Sequence, residues 1–358
     1  AWSPSYDSAV NIEGAYIDIR LVGNLIIDGT TESGIIISGI NESIYGTFIG
    51  YIFMGGGDNI EIRNIEMIGP GYQVCDSIRA IRIDSNYPRV DNLRLSNIIA
   101  HEFGGVAFRM INHENLIIEN CTIYNVGAYI DGCSLHSDHI ALYGSDNNTI
   151  IRNCLLYQEY DGPSVSPGHP IAFGGTTGTT NIYNNIIYNV STIQSSGGII
   201  PDAGEVNFFN NTFVGTRSMA LRSGSQINMV NNIFCNIGFD DDSTRYAYSE
   251  DNTILDSNNL FCYDSRYASY YPFGDNGILL PEGEDPFVDI NNMDFRLKDS
   301  SLAIDSGYNL SDYFNIDFEN NSRPQDSSWD IGPYEYTGPV SYPQGDVDGN
   351  NLVNNTDL

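Results

Sequence analysis

Residues 207–238 read NFFNNTFVGTRSMALRSGSQINMVNNIFCNIG, and the phrase ending in Asn211 returns 21 residues later, ending in Asn232. Working outward, the same phrase appears as IEIRN at Asn64, LRLSN at Asn97, LIIEN at Asn120, TIIRN at Asn153, NIYNN at Asn185 and LDSNN at Asn259. An alternating apolar stretch leads in each time, and a short apolar stretch leads out. The successive spacings of 33, 23, 33, 32, 26, 21 and 27 residues have a floor near 21. A fixed core lengthened by insertions is what a coil with variable loops produces. An Asn at one bend of every turn can bond the local backbone and its copies above and below, so that burial strands no polar group. LIIDG around Asp28 reads as an earlier turn with Asp in the same place.

From about residue 15 to 300 the chain alternates short strands of period two with Gly, Asn and Ser turns, and sustained helical periodicity is missing. Like residues stack at fixed offsets and no hairpin dipeptides force reversal. The expected fold is all-β, a single-stranded right-handed parallel β-helix with an internal Asn ladder, its hand taken by analogy with crossover connections. A solenoid can use this length as one domain because each turn needs only its neighbours. The expected division is the coil at 1–300, a closing segment at 301–342 containing SSLAIDSGYN and SSWDIGPYEY, and a tail at 343–358. The closing segment is expected to cover the last open turn, an edge that must not be left bare.

The formal charge is −31, from 46 acidic residues against 15 basic ones, and Lys298 is the single lysine. Phosphate binding rests on clustered Lys and Arg, so nucleic acid is excluded as a partner. The acidity suits an extracellular or cell-surface setting rich in salt or divalent ions. No apolar run is long enough to span a bilayer, and the start AWSPSYDSAV lacks the regions of a signal peptide, a leader having been removed or never present. Sequons at Asn41, Asn147, Asn189, Asn309 and Asn320 agree weakly with export. Cys121 and Cys154 follow ladder asparagines, and Cys235 and Cys262 lie three residues past them. All four are expected as stacked apolar core residues. Cys75 and Cys133, in long insertions, form the better disulfide candidate.

The second strand of each turn can be aligned as AIRID (80–84), GVAFR (105–109), HIALY (139–143), PIAFG (170–174), GIIPD (198–202) and SMALR (218–222). With Val106, Phe108, Ile140, Leu142, Ile171 and Phe173 inward, alternate positions face solvent. The middle outward column is Arg82, Ala107, Ala141, Ala172, Ile200 and Ala220. One flank holds Asp84, Arg109, Tyr143, Gly174, Asp202 and Arg222; the other holds Ala80, Gly105, His139, Pro170, Gly198 and Ser218. A floor of alanines edged by Arg, Tyr, His and Asp suits a sugar chain lying across parallel strands. The loops entering this face carry His101, His113, His136, His139 and His169, with Glu102, Asp131, Asp138, Glu159 and Asp161. His136, Asp138, His139 and His169 are zinc-ligand types whose spacing matches no zinc motif.

This pattern resembles the right-handed parallel β-helix superfamily, which includes pectate lyases, polygalacturonases, chondroitinase-type lyases and the disaggregatases of methanogenic archaea. The resemblance covers about four fifths of the chain and is architectural. HSDHIALYG (136–144) resembles the H-S-D-G-I segment of many β-helix glycan-active proteins, with His139 where Gly is usual. The polygalacturonase residues are missing: Gly168-His169-Pro170 stands where Gly-His-Gly is expected. GDVDGNNLVNNTDL at the C-terminus resembles the first calcium loop of a type I dockerin. That resemblance implies Asp346, Asp348, Asn350, Asn354 and Asp357 as Ca2+ ligands, and a cohesin or surface-anchoring partner if a complete dockerin exists in a longer parent.

Two reactions stay open. Hydrolysis needs a carboxyl pair, which Asp138, Asp202, Asp161 and Glu159 could supply. Elimination needs a base at a sugar C5 proton and a cation on the uronate carboxylate, roles open to His139, Tyr143 and Arg109, with His169 nearby. Arg82, Asp84, Arg222, His136 and Glu159 are the expected substrate contacts. The leading expectation is an exported enzyme cleaving an acidic, uronate-containing polysaccharide, with arginines 79, 82, 89, 94 and 109 reversing the field locally. The rival is a non-enzymatic sheath protein or glycan-binding adhesin; the lack of a threonine array argues against ice binding.

Overall fold

The computed structural model describes residues 10–13, 17–30, 34–39, 50–71, 78–83, 86–127, 137–144, 147–159, 168–175, 177–190, 192–195, 204–216, 218–220, 226–235, 254–262 and 274–338. The chain winds as a parallel β-helix. Each turn contributes to three parallel sheets, here called front, middle and back in the order the chain visits them. The front sheet includes Arg79–Ile83, Phe108–Ile111, Ser137–Tyr143, Gly168–Gly174, Thr192–Ser195 and Ser218–Ala220. His113–Glu119, Asn147–Arg152, Gly178–Tyr183, Gly204–Phe209, Gln226–Val230 and Ile254–Ser257 lie in the middle sheet. Thr122–Val126, Leu155–Tyr157, Ile186–Tyr188, Thr212–Val214, Ile233–Cys235, Leu260–Cys262 and Ile278–Leu280 make the back sheet. Gly50–Ile68 is continuous through all three. Ile, Leu, Val, Met and Phe from the three inner faces form one core running along the axis.

The middle-to-back corner corrects the ladder. Asn64, Asn97, Asn120 and Asn153 do not belong to the inner ladder; with Asn184, Asn210, Asn231 and Asn258 they form a separate column with φ between 51° and 61°. A sharp corner requires this left-handed backbone, and Asn is among the few non-glycine residues that adopt it readily. Asp28 lies one residue before this position, in register with Arg63, and its carboxylate accepts from Asn64 Nδ2 at 2.7 Å. The Arg63 guanidinium holds that carboxyl down at about 2.

The inner ladder occupies the next residue: Cys154, Asn185, Asn211, Asn232 and Asn259. Cys154 N–H donates to Asn185 Oδ1 at 2.9 Å, Asn185 N–H to Asn211 Oδ1 at 3.0 Å, Asn211 N–H to Asn232 Oδ1 at 2.9 Å, and Asn232 N–H to Asn259 Oδ1 at 2.7 Å. The amide groups also donate to inner carbonyls, as Asn211 Nδ2 does to Ile182 O at 2.8 Å. In earlier turns Ile65, Ile98 and Cys121 take this position and join the apolar core. Cys121 and Cys154 are therefore stacked, buried and free, as expected. Cys235 and Cys262 differ from expectation: they form a disulfide with a Cα separation of 4.7 Å and belong to the outer cluster of the back sheet. Cys75 and Cys133 lie outside the described residues.

The outer asparagines explain where the C-terminal segment goes. It lies along the flank of the coil, where the sequence suggested a lid over the last turn. Asn184 Nδ2 donates to Ile316 O, Asn210 Nδ2 to Asp330 O and Gly332 O, and Asn231 Nδ2 to Tyr308 O, each at 2.8 Å; Asn258 Nδ2 donates to Ser306 O at 2.9 Å. Phe287, Phe295, Leu297, Ala303 and Ile331 bury the outward side chains of the back sheet, including Ile186, Val214, Ile233 and Leu260. Leu310, Phe314 and Trp329 cover Tyr183, Phe209 and Val230 at the end of the middle sheet. A fully buried Arg323–Glu335 pair at 2.6 Å ties the segment together, and Arg323 Nη2 also donates to Asn184 Oδ1 at 3.2 Å. Residues 339–358, with the calcium-loop candidates, lie outside the described residues.

The two columns separate experimentally. Asn211→Ala strands buried groups on both neighbouring turns and is expected to cost about 2–4 kcal/mol in urea unfolding. Asn97→Gly keeps the left-handed corner, and among the described residues the Asn97 side chain donates only to Asn64 Oδ1, at 3.1 Å; a change within about 0.5 kcal/mol is expected. Equal costs would refute the division.

Candidate functional site

The front sheet begins as the sequence suggests, because Ile81, Ile83, Phe108, Met110, Ile140, Leu142, Ile171 and Phe173 all enter the core. Its register differs from the alignment by two residues at one turn. Arg109 pairs with Arg82 on one side and Ala141 on the other, and Ile111 pairs with Tyr143. Phe53 precedes Arg82 in the same column, Asp18 precedes Phe53, and Ala172 and Gln194 follow Ala141. One outward column therefore reads Asp18, Phe53, Arg82, Arg109, Ala141 and Ala172, and Gln194 and Ala220 continue it in backbone register. Thr192–Ser195 is the strand paired after Gly168–Gly174, where the alignment placed GIIPD.

The entry to each front strand also reverses. Ala80 and Ala107 lie in the core, and Val106 packs outside against Ala141, Ala172 and Tyr143. His139 is equivalent to Ala80 and Ala107 and is likewise fully buried. Its Nε2 faces Tyr157 O at 3.2 Å and its Nδ1 faces His169 O at 3.4 Å. Tyr51, one residue before Ile52 as His139 is before Ile140, donates its hydroxyl to Ile68 O at 2.6 Å. Ile68 leads through His101 and Tyr124 to Tyr157 in register. His139 and Tyr51 are thus two versions of one brace, tying the start of a front strand to the end of the same turn's back strand. Burial holds the His139 imidazole down at about 4, so it is neutral near pH 7.

Asp138 and His169 are register partners whose side chains meet at 2.8 Å, Nδ1 to Oδ1, with almost no exposure of either. Extending the register places this pair beside Val106 and Arg79, at the outward edge next to Ala141 and Ala172. Neither alanine is exposed, so this part of the floor is covered. Asp138 Oδ2 is buried without a hydrogen-bond partner among the described residues. Arg109 and Tyr143 are half-buried, with the guanidinium 5.9 Å from the ring centroid, while Arg79 and Arg82 in the turn before are buried. Arg109 has no carboxylate at ion-pair distance among the described residues. Arg82 lies 5.9 Å from the Phe53 ring.

The other candidates do not converge there. Glu159 sits at the back corner, where its Oε2 accepts from Asn125 Nδ2 at 2.9 Å and its N–H donates to Asn125 Oδ1 at 3.0 Å. Asn125 Nδ2 also donates to Glu102 Oε1 at 2.9 Å. His101 stacks on Tyr124 with centroids 4.6 Å apart, and Tyr124 on Tyr157 at 4.9 Å, on the outer back sheet. His113 is buried against Thr149. Arg89 pairs with Asp91 at 2.5 Å and with Glu114, and Arg94 with Glu119, all on the middle sheet. Of the five arginines expected to reverse the field, Arg79, Arg82 and Arg109 stand on the front sheet, and Arg79 and Arg82 are buried there. Asp84, His136, Asp161, Asp202 and Arg222 lie outside the described residues. Among the described residues no three His, Cys, Asp or Glu side chains are placed to hold a metal.

The alignment missed Arg20, Phe53 and Tyr87. IDIRL at 17–21 and YIFMG at 51–55 carry the same inward Ile-x-Ile or Ile-x-Met signal as AIRID, which would have found the first two; Tyr87 comes from a loop and has no such signal.

No protein-family model matches the chain, and no curated protein matches it. Among solved structures it is similar to pectate lyase Pel9A, at 13% identity over 94% of this chain and 84% of that one, with a TM-score of 0.49. It is similar to an alginate lyase from Paenibacillus sp. str. FPU-7 at 14% identity over 75% and 89%, with a TM-score of 0.39. The A-module of the mannuronan C-5 epimerase AlgE6 of Azotobacter vinelandii matches at 12% over 72% and 91%, with a TM-score of 0.31.

His139→Ala checks the brace. A folded value near 4 against 6.5 unfolded means the unfolded chain binds the extra proton between those values. The brace's contribution is complete above pH 6.5 and fades as pH falls toward 4, by up to roughly 3 kcal/mol. The variant is expected to be about 2 kcal/mol less stable at pH 7, with the gap to wild type narrowing at pH 4.5 in thermal unfolding. A constant gap would show that His139 is not held neutral.

Proposed function

We propose that this protein binds an acidic, uronate-bearing polysaccharide along the outer front sheet and cleaves it by β-elimination. The observation that carries the reading is Arg109: a half-buried guanidinium without a carboxylate partner among the described residues, next to Arg82, in a chain of net charge −31. Such a cation gains most from an anionic ligand that arrives with its own carboxylate. In this reading Arg109 neutralises the uronate carboxylate, which makes the C5 proton removable. Tyr143, beside it, takes that proton as its phenolate; the C5–H electron pair forms the C4–C5 double bond, the C4–O bond breaks with its pair on oxygen, and the departing oxygen takes up a proton from the Tyr143 hydroxyl so formed. Hydrolysis is less well supported. The described carboxyl groups of the front sheet are Asp18, paired with Arg20, and Asp138, paired with His169, so they supply no acid and base facing each other.

Acid-rich composition supports an extracellular or cell-surface setting, and Ca2+ at Asp346, Asp348, Asn350, Asn354 and Asp357, with a cohesin-type partner, belongs to the same reading. Incubation with a panel of uronate-rich glycans, following reducing ends and ultraviolet absorbance together, tests the reaction. Both signals are expected to rise with wild type, to fall at least about 100-fold in Arg109→Ala, and to fall in Tyr143→Phe without loss of binding. Reducing ends without absorbance would establish hydrolysis instead. Binding or fibre assembly without any cleavage would make the chain an adhesin or sheath scaffold.

A further inference from the structure

Among the described residues the chain makes most of its non-glycine left-handed corners with Asn, yet beside Tyr143 it uses glycine twice. Asn112, Gly144 and Gly175 hold equivalent positions where the front sheet turns toward the middle sheet: Asn112 N–H donates to Tyr143 O at 3.2 Å, and Gly144 N–H to Gly174 O at 2.8 Å. Their φ values are 58°, 54° and 67°. Asn112 shows that the bend accepts a side chain, so backbone conformation alone does not call for Gly at 144 or 175. The difference lies in what a side chain meets. Asn112 Nδ2 donates to Tyr87 O at 3.3 Å. A Cβ on Gly144 would have nothing within 4 Å among the described residues. One on Gly175 would lie 3.9 Å from Gly144 N and 4.0 Å from Gly144 Cα, so its side chain would cross the bare backbone of the turn before. Both glycines are exposed. Gly55, in an earlier front turn, is the opposite case: the Tyr87 ring fills its gap, and a Cβ there would stand 2.9 Å from that ring.

The open gap adjoins the groups to which the uronate is assigned. Gly144 follows Tyr143 directly, and Tyr143 lies two residues along the strand from Ala141, the register partner of Arg109. Strands stand about 4.8 Å apart and rise about 3.3 Å per residue, so Gly175 lies about 14 Å from Arg109, diagonally across two turns. One sugar does not bridge that distance. A chain that starts on Arg109 and crosses Tyr143 carries its next units over Gly144 and Gly175, where its hydroxyl groups meet exposed peptide groups. The glycines recognise nothing by themselves. Arg109 and Tyr143 supply the charge and the ring, and the glycines leave the way open.

We infer that Gly144 and Gly175 are specificity-determining positions of the proposed site: by leaving bare backbone beside Tyr143 they let the glycan run on past the uronate held by Arg109, so that the site takes an interior stretch of chain instead of a terminal sugar. The inference rests on the proposed uronate-binding face and adds the direction in which the chain leaves it.

The test fills the gap with the residue the chain itself uses at this corner. Gly144→Asn and Gly175→Asn are compared with wild type, Arg109→Ala and Gly215→Asn. Gly215, at φ 64°, follows the back strand Thr212–Val214, and the nearest neighbours of a Cβ there are atoms of Asn189 at 3.5 Å and beyond. Thermal midpoints within a few degrees of wild type are expected for all three glycine variants. Binding of galacturonate and mannuronate monomers and tetramers, and of carboxyl-reduced tetramers, is followed by calorimetry and ligand-observed NMR. Gly144→Asn and Gly175→Asn are expected to weaken tetramer binding by roughly tenfold or more and to leave monomer binding unchanged, Gly215→Asn to change neither, and Arg109→Ala to weaken both. Tetramer binding at wild-type strength in both front-corner variants, or an equal loss for monomer and tetramer, would overturn the assignment. Weakened binding of carboxyl-reduced tetramers in those variants, with Arg109→Ala at wild-type strength throughout, would leave the passage standing and overturn the uronate reading, so the two fail separately.

Discussion

Everything in this molecule depends on satisfying polar groups at the corner between the middle and back sheets. A coil that turns sharply every twenty to thirty residues must reverse its backbone direction beside an apolar core. There, an unpaired N–H or C=O is as costly as a lost hydrogen bond. Two adjacent positions share the task. The first is an Asn in the left-handed region, which makes the bend. The second, in the later turns, is an Asn whose carboxamide accepts the N–H of the turn before and donates to inner carbonyls. Where the second position is Ile or Cys, the corner is apolar and packs into the core. The outer residue then gains a further use: in four turns it binds the backbone of the C-terminal segment, which packs on the back and middle sheets.

In the proposed function, that division of surface assigns the anion to the front sheet. The arginines that seemed from the sequence to form one positive region are split by the fold. Arg89 and Arg94 turn to the middle sheet and are neutralised by Asp91, Glu114 and Glu119. Arg20, Arg79, Arg82 and Arg109 stand on the front sheet, where the described carboxyls are few. Phe53, Tyr87 and Tyr143 sit among them, so charge and apolar ring surface alternate along the axis.

The histidines show the limits of reading a motif from its letters. His136-Ser137-Asp138-His139 suggests a catalytic phrase, yet His139 braces the coil as Tyr51 does, and Asp138 joins His169 in a pair without exposure. The local pattern does not tell whether a residue at the start of a strand points in or out, because the chain bends there and two successive residues enter the core. Ala107 and Phe108 are such a pair.

The sequence by itself determined the coil, its strand periodicity and the stacking of Cys121 over Cys154, because these follow from local alternation and a repeat that each turn meets with its neighbours alone. It also contained the doublets Asn184-Asn185, Asn210-Asn211, Asn231-Asn232 and Asn258-Asn259, although one repeat letter concealed two columns. Only the tertiary structure decided register across the insertions, since a loop of unknown path between Phe103 and Phe108 can shift a strand by two residues without changing its inward face. Arg109 therefore moved beside Arg82, and Tyr87 came over Gly55. The partners of a charged or aromatic side chain depend on register and on loop return, which are set by packing across turns and leave no period in the sequence.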